Sequence, residues 1–347
     1  MAKRLVVCCD GTWNSLTQKA PTNVVKVKDA VAPVDPAGTK QLVHYHEGVG
    51  TGKRWWDRLA GGAFGWGLSA NVRDAYRFVV EHYEPGDELF FFGFSRGAYT
   101  ARSAVGLIRN CGVLLPRHAS RVDEAYRLYR DRDPATGPAS PAAREFRDRF
   151  SHQDVTPVRF VGVWDTVGAL GIPLSGGRLL NLLNRRWQFH DTQLTSTVQS
   201  AFQALAVDEH RKAFRPAVWQ PSPGADSQER EQVWFSGAHS DVGGGYPEQG
   251  LSGLALHWLA ARAEKCGLVF SPDAFAGLPP ADDLGVLHNS LNRPYKWFGS
   301  IDREIGVVDP PSESVSSCAR YRHENMRPPY APPNLVKYLE APRITEV

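Results

Sequence analysis

Ser95 stands in Gly93-Phe94-Ser95-Arg96-Gly97, a Gly-x-Ser-x-Gly pentapeptide of the kind that can present a serine as a nucleophile, followed by the small Ala98. A serine hydroxyl attacks poorly at its own pKa, so a histidine within hydrogen-bond reach and an acid to orient that histidine must come from elsewhere in the chain. Asp165 follows the apolar run Val158–Trp164, and a carboxylate in that place is costly unless it accepts strong hydrogen bonds, as one orienting an imidazole does. His239 follows the run 232–236, inside Gly237-Ala238-His239-Ser240-Asp241-Val242-Gly243-Gly244-Gly245-Tyr246. A glycine-rich loop at a strand end can swing such a ring toward a neighbouring strand. Asp241 is the rival acid, but two residues from His239 it more easily orders its own loop than reaches Nδ1.

The chemistry these types support is acyl transfer. Ser95 attacks a carbonyl, His239 takes its proton and returns it to the leaving group, and Asp165 fixes the imidazole tautomer. An oxyanion hole requires two backbone donors. The N–H of Arg96, directly after the nucleophile, is one. Gly11 or Thr12, in Asp10-Gly11-Thr12-Trp13-Asn14 after the first strand, is the expected second, with Asp10 supporting that loop. No metal and no cofactor is called for.

For these residues to meet, each must sit at the carboxyl end of a strand in one sheet. Short apolar runs at Arg4–Cys9, Gln41–His46, 88–93, Val158–Trp164 and 232–236 read as buried strands, and 23–32, 68–83, Arg96–Cys111 and 251–266 read as helices. That alternation predicts an α/β fold with a mostly parallel sheet and helices on both faces. The chain order Ser95, Asp165, His239 is the α/β-hydrolase order. The expected organisation is one catalytic domain over 1–324, with insertions at about 131–154 and 171–197, followed by a Pro-rich tail over 325–347 lying extended on the surface. The second insertion carries Leu179, Leu180, Leu182, Leu183 and Trp187 beside Arg185 and Arg186. It reads as a cap over the site, a lipid-touching face, or a helix that buries its leucine stripe against the body.

Other function classes fit poorly. A net charge of +3 over 347 residues, with arginines scattered among acids, argues against nucleic acid. No window approaches the length of a membrane span, although contact with a membrane surface stays compatible with the sequence. The first apolar run is interrupted at Asp10, too soon for a signal peptide, and the five scattered cysteines suit a reducing compartment. A cytoplasmic location is expected, with signal-independent secretion open. Oligomeric state is not legible. Gly48-Val49-Gly50-Thr51-Gly52-Lys53 fails the phosphate-loop pattern, since Glu47 stands where the first glycine belongs and Arg54 follows the lysine. In Cys8-Cys9-Asp10-Gly11-Thr12, Cys8 replaces the aspartate a haloacid-dehalogenase-type phosphatase would use as nucleophile.

Together, the Asp10–Asn14, Gly48–Gly52, Gly93–Tyr99, Trp164–Gly168 and Gly237–Tyr246 signatures resemble the catalytic domain of type VI secretion phospholipase effectors, over roughly residues 3–260. The resemblance implies an α/β-hydrolase fold, a triad falling on Ser95, Asp165 and His239, and cleavage of carboxylic esters. A serine esterase or lipase acting on ester or lipid substrates, phospholipid acyl esters among them, is therefore the expected activity. The alternatives are an acyltransferase using the same residues and a hydrolase-fold binding or scaffold protein with little turnover.

Overall fold

The alternating phenylalanines of β3 (Glu88–Phe94) define the architecture, because successive side chains of a strand point to opposite faces. Leu89 and Phe91 enter one apolar core, and Phe90, Phe92 and Phe94 enter another. A strand buried on both faces belongs in the middle of a helix-covered parallel sheet. The computed structural model describes residues 2–11, 20–48, 63–168, 193–220, 227–291 and 299–347. Within them, β1 (Arg4–Cys9), β2 (Gln41–His46), β3, β4 (Val158–Trp164), β5 (Val198–Ala206), β6 (Glu229–Phe235), β7 (Glu313–Ser316) and β8 (Ile344–Thr345) form one sheet. The spatial order is β2-β1-β3-β4-β5-β6-β7-β8, and every pairing is parallel.

Helices α2 (Ala63–His82), α3 (Arg96–Cys111), α4 (Val122–Arg130) and α5 (Pro141–Phe150) close one face, contributing Val79, Leu107, Ala125 and Phe146 to its core. Helix α1 (Asn23–Ala30) and, later in the chain, α7 (Gly250–Lys265) close the other with Val24, Val27, Leu256 and Leu259. This is the expected α/β fold, and the five expected strands and four expected helices are all present.

Three features go beyond the sequence expectations. Strand β5 was not anticipated, because Ala201, Ala204 and Ala206 mixed with Gln199, Ser200 and Gln203 carry little strand propensity. It lies between β4 and β6, so Asp165 and His239 approach each other across it. The excursion at 131–154 is tied to the body through α5. There Arg147 is buried, donates to the carbonyls of Asn110 and Pro138, and pairs with Asp154. The Pro-rich stretch after residue 325 is more than an extended wrap. It supplies α9 (Pro333–Tyr338), after α8 (Ser317–Asn325), and then the edge strand β8. Leu335 is fully buried in a third core with Leu205, Trp234 and Val315. Thr12, residues 49–53 and the leucine-rich residues 179–187 lie outside the described residues. Among the described residues, no helix is long and apolar enough to cross a membrane.

Candidate active site

Strand β3 ends at Phe94 and α3 begins at Arg96, leaving Ser95 alone in the turn with φ 59° and ψ −122°. A non-glycine residue in that region costs on the order of 1–3 kcal/mol, so neighbouring structure must hold it there. The Ser95 N–H donates to the carbonyl of Trp164 at 3.1 Å, which ties the turn to the end of β4. The turn is also crowded. A Cβ on Gly93 would lie 2.6 Å from the Cα of Ala98, and one on Gly97 would overlap the carbonyls of Cys9 and Asp10 at the end of β1. Only glycine lets α3 start this close to the sheet.

His239 sits not in an open loop but at the first position of the short helix α6 (His239–Gly243). Its Nε2 lies 2.8 Å from Ser95 Oγ, and its Nδ1 lies 2.5 Å from Asp165 Oδ2. The three residues expected to meet are thus brought together in one hydrogen-bonded chain. Because the carboxylate can only accept, the proton belongs on Nδ1, which leaves Nε2 to accept from the serine hydroxyl. The ring is held between Phe94, 4.6 Å away and tilted, and Phe214, 4.9 Å away and edge-on.

Asp165 is wholly buried, with φ 36°. Burial, the largest influence, favours its neutral form. The Arg303 guanidinium and the His239 hydrogen bond outweigh that and hold the carboxyl well below the usual carboxylate range. Its Oδ1 also accepts from the Ala206 N–H at 3.0 Å. Burial lowers the pKa of His239 below its ordinary 6.5, and the attraction of Asp165 only partly offsets this. A neutral imidazole beside an ionised acid is the state a general base requires.

Asp241 faces away from this chain. Its carboxylate accepts from the Ala238 N–H at 2.9 Å, from the His288 N–H at 3.0 Å and from His288 Nδ1 at 2.6 Å, so it orders the segment around His239. Asp10 plays a similar part after β1, accepting from Thr22 Oγ1 at 2.7 Å and from the Tyr45 hydroxyl at 2.9 Å. The Gly11 N–H donates to Asp10 Oδ1 at 2.7 Å and is therefore committed to that carboxylate. The Arg96 N–H heads α3 directly after the serine.

Sequence reasoning missed three residues. Arg303 forks onto Asp165. Glu209 accepts from the His239 N–H at 3.3 Å and from Arg211, and Asp208 accepts from the Gly237 N–H at 2.6 Å. Asp208-Glu209-His210-Arg211 and Asp302-Arg303-Glu304 are charged runs of the kind that usually face water. Only the arrival of β5 beside the histidine segment gives the first run a buried role.

A parallel sheet with a strained serine between a central strand and its following helix, and a histidine and a buried acid at later strand ends, defines an α/β-hydrolase-class domain. The chain belongs to the family of T6SS phospholipase effector Tle1-like catalytic domains, whose model matches residues 3–262. It is 27% identical over 239 residues to the uncharacterized protein YEL023C of Saccharomyces cerevisiae, covering 64% of this chain and 33% of that protein. Two solved structures are also similar. The Tle1 effector bound to the VgrG spike of the type 6 secretion system matches over 72% of this chain and 52% of its own, with 20% identity and a TM-score of 0.41. An uncharacterized protein from Pseudomonas aeruginosa matches over 82% of this chain and 49% of its own, with 17% identity and a TM-score of 0.48. The chain therefore spans about a third of the yeast relative and about half of each of these structures.

Proposed function

We propose that this protein is a serine hydrolase that cleaves carboxylic esters through an acyl-Ser95 intermediate. The observation that carries the reading is the continuous contact from Ser95 Oγ to His239 Nε2 at 2.8 Å and from His239 Nδ1 to Asp165. As Oγ attacks the carbonyl carbon, Nε2 accepts its proton, and Asp165 stabilises the imidazolium that forms. Negative charge then collects on the carbonyl oxygen. The Arg96 N–H is the first donor to it, and with the Gly11 N–H held by Asp10 the backbone N–H of Thr12 is the remaining proposed second donor. On collapse, the imidazolium gives its proton to the departing alkoxide. Water then attacks the acyl-serine by the same route, returning the acid and free Ser95.

Membership of a phospholipase effector family favours acyl esters of lipids as substrates. The decisive assay compares turnover of short soluble esters, long-chain esters and defined phospholipids by the wild type and by Ser95→Ala. Wild-type turnover that rises with acyl length, and falls at least about 10³-fold in the variant, is the expected result. Undiminished turnover in Ser95→Ala would overturn the mechanism. A preference for short esters would remove the lipid assignment and leave the mechanism standing.

A further inference from the structure

Asp165 is held from behind. The guanidinium of Arg303, fully buried, forks onto both carboxylate oxygens, with Nη1 2.6 Å from Oδ1 and Nη2 3.0 Å from Oδ2. The same two nitrogens donate to the carbonyl of Ala206 at the end of β5, at 2.8 Å, and to that of Phe214, at 2.6 Å. One side chain thus joins the acid, the neighbouring strand and the segment whose ring packs against His239. With Arg303 on both oxygens, Ala206 N–H on Oδ1 and His239 on Oδ2, the carboxylate cannot rotate without losing a partner.

Holding a loop does not require this arrangement. A buried guanidinium is expensive, and apolar residues of similar volume commonly stabilise as well or better. Here the expense is larger still, because Arg303 Nε has no hydrogen-bond partner among the described residues. Arg303 also lies beyond residue 262, outside the span the family model matches.

We propose that Arg303 is a positioning residue for the Asp165–His239 pair, fixing the plane of the carboxylate and sharing its charge so that His239 stays neutral and aimed at Ser95. This inference rests on the reading of Ser95, His239 and Asp165 as the catalytic set. The charged groups around the imidazole are Asp165 after β4, Glu209 and Arg211 after β5, and Arg303 behind Asp165. On its own helix, Asp241 is engaged by His288. Removing the Arg303 charge leaves Asp165 less shielded and harder to keep ionised. Either effect makes the Asp165–His239 pair hold a proton more tightly, so the acid limb of activity moves to higher pH.

The test is the rate at which a fluorophosphonate labels Ser95 between about pH 5 and pH 8, in the wild type, Arg303→Met and Arg303→Lys. Arg303→Met is expected to shift the acid limb up by about one pH unit and to lower the plateau rate about tenfold. Arg303→Lys keeps the charge but not the fork, so its limb moves by less than half as much while its plateau still falls several-fold. A wild-type profile in Arg303→Lys would overturn the proposal even where Arg303→Met fails to fold. So would a limb shared by all three proteins. Labelling that persists in Ser95→Ala would instead sink the catalytic reading itself, so the two failures are distinguishable.

Discussion

Two buried aspartates lie close to His239, and their partners separate their roles. Asp165 meets the imidazole, the Ala206 N–H and the Arg303 fork, whereas Asp241 meets the Ala238 N–H and both the N–H and the ring of His288. An amide at position 165 would offer the imidazole an NH₂ group where the Nδ1–H needs an acceptor, or force the wrong tautomer. Asp165→Asn should therefore lower kcat by about 10⁴-fold. Asp241→Asn should cost less than about tenfold in kcat, because it disturbs the frame and not the proton path, and about 1–3 kcal/mol in stability. Steady-state kinetics with urea unfolding of both variants checks the ranking. The reverse order would assign the acid to Asp241.

At the scale of elements, the site depends on how closely α3 begins against β1 and β3. Gly97→Ala places a Cβ on the backbone of Cys9 and Asp10, which cannot rotate away as a flexible side chain would. The variant should lose about 3 kcal/mol of stability and most of its reactivity at Ser95. Urea denaturation beside probe labelling measures both, and a near-neutral Gly97→Ala would mean the turn is looser than its contacts indicate. This element was legible in the sequence for the same reason that it is rigid. A phenylalanine run, two glycines and a helix-forming segment all specify strand, tight turn and helix. Asp165 was legible because a carboxylate directly after Val158–Trp164 requires an explanation. Strand β5 was not, since its alanines and glutamines are placed by tertiary contacts. Gln203 is buried only because Thr166, Gln232 and Arg102 satisfy its amide. Arg303 and Glu209 were hidden for a related reason. Nothing local distinguishes a buried member of a charged run from a solvated one.

For the whole molecule, burial couples folding to pH. His44, His152 and His239 have pKa values lowered from the ordinary 6.5 by partial or full burial. The unfolded chain therefore takes up protons first as pH falls below 6.5, and the stability held above that value is progressively lost through the lower folded values. Asp165 acts in the same direction further down. Its folded pKa lies below the ordinary 3.8, so its contribution is present above that value and lost as pH falls through the folded one. Buried Asp208, whose pKa is raised, acts in the opposite direction. The urea midpoint should accordingly be lower at about pH 5 than at about pH 7.5 unless Asp208 outweighs the histidines, and an equal or higher midpoint at the acidic pH would contradict a net histidine effect.

The strained serine between β3 and α3 is the proposed nucleophile. Peptide mass spectrometry of the folded wild type after reaction with a fluorophosphonate tests it most directly. The expected result is a single adduct on Ser95 that is absent in Ser95→Ala and slowed by orders of magnitude in His239→Ala. An unlabelled Ser95 in folded protein, or an adduct on another residue, would contradict it.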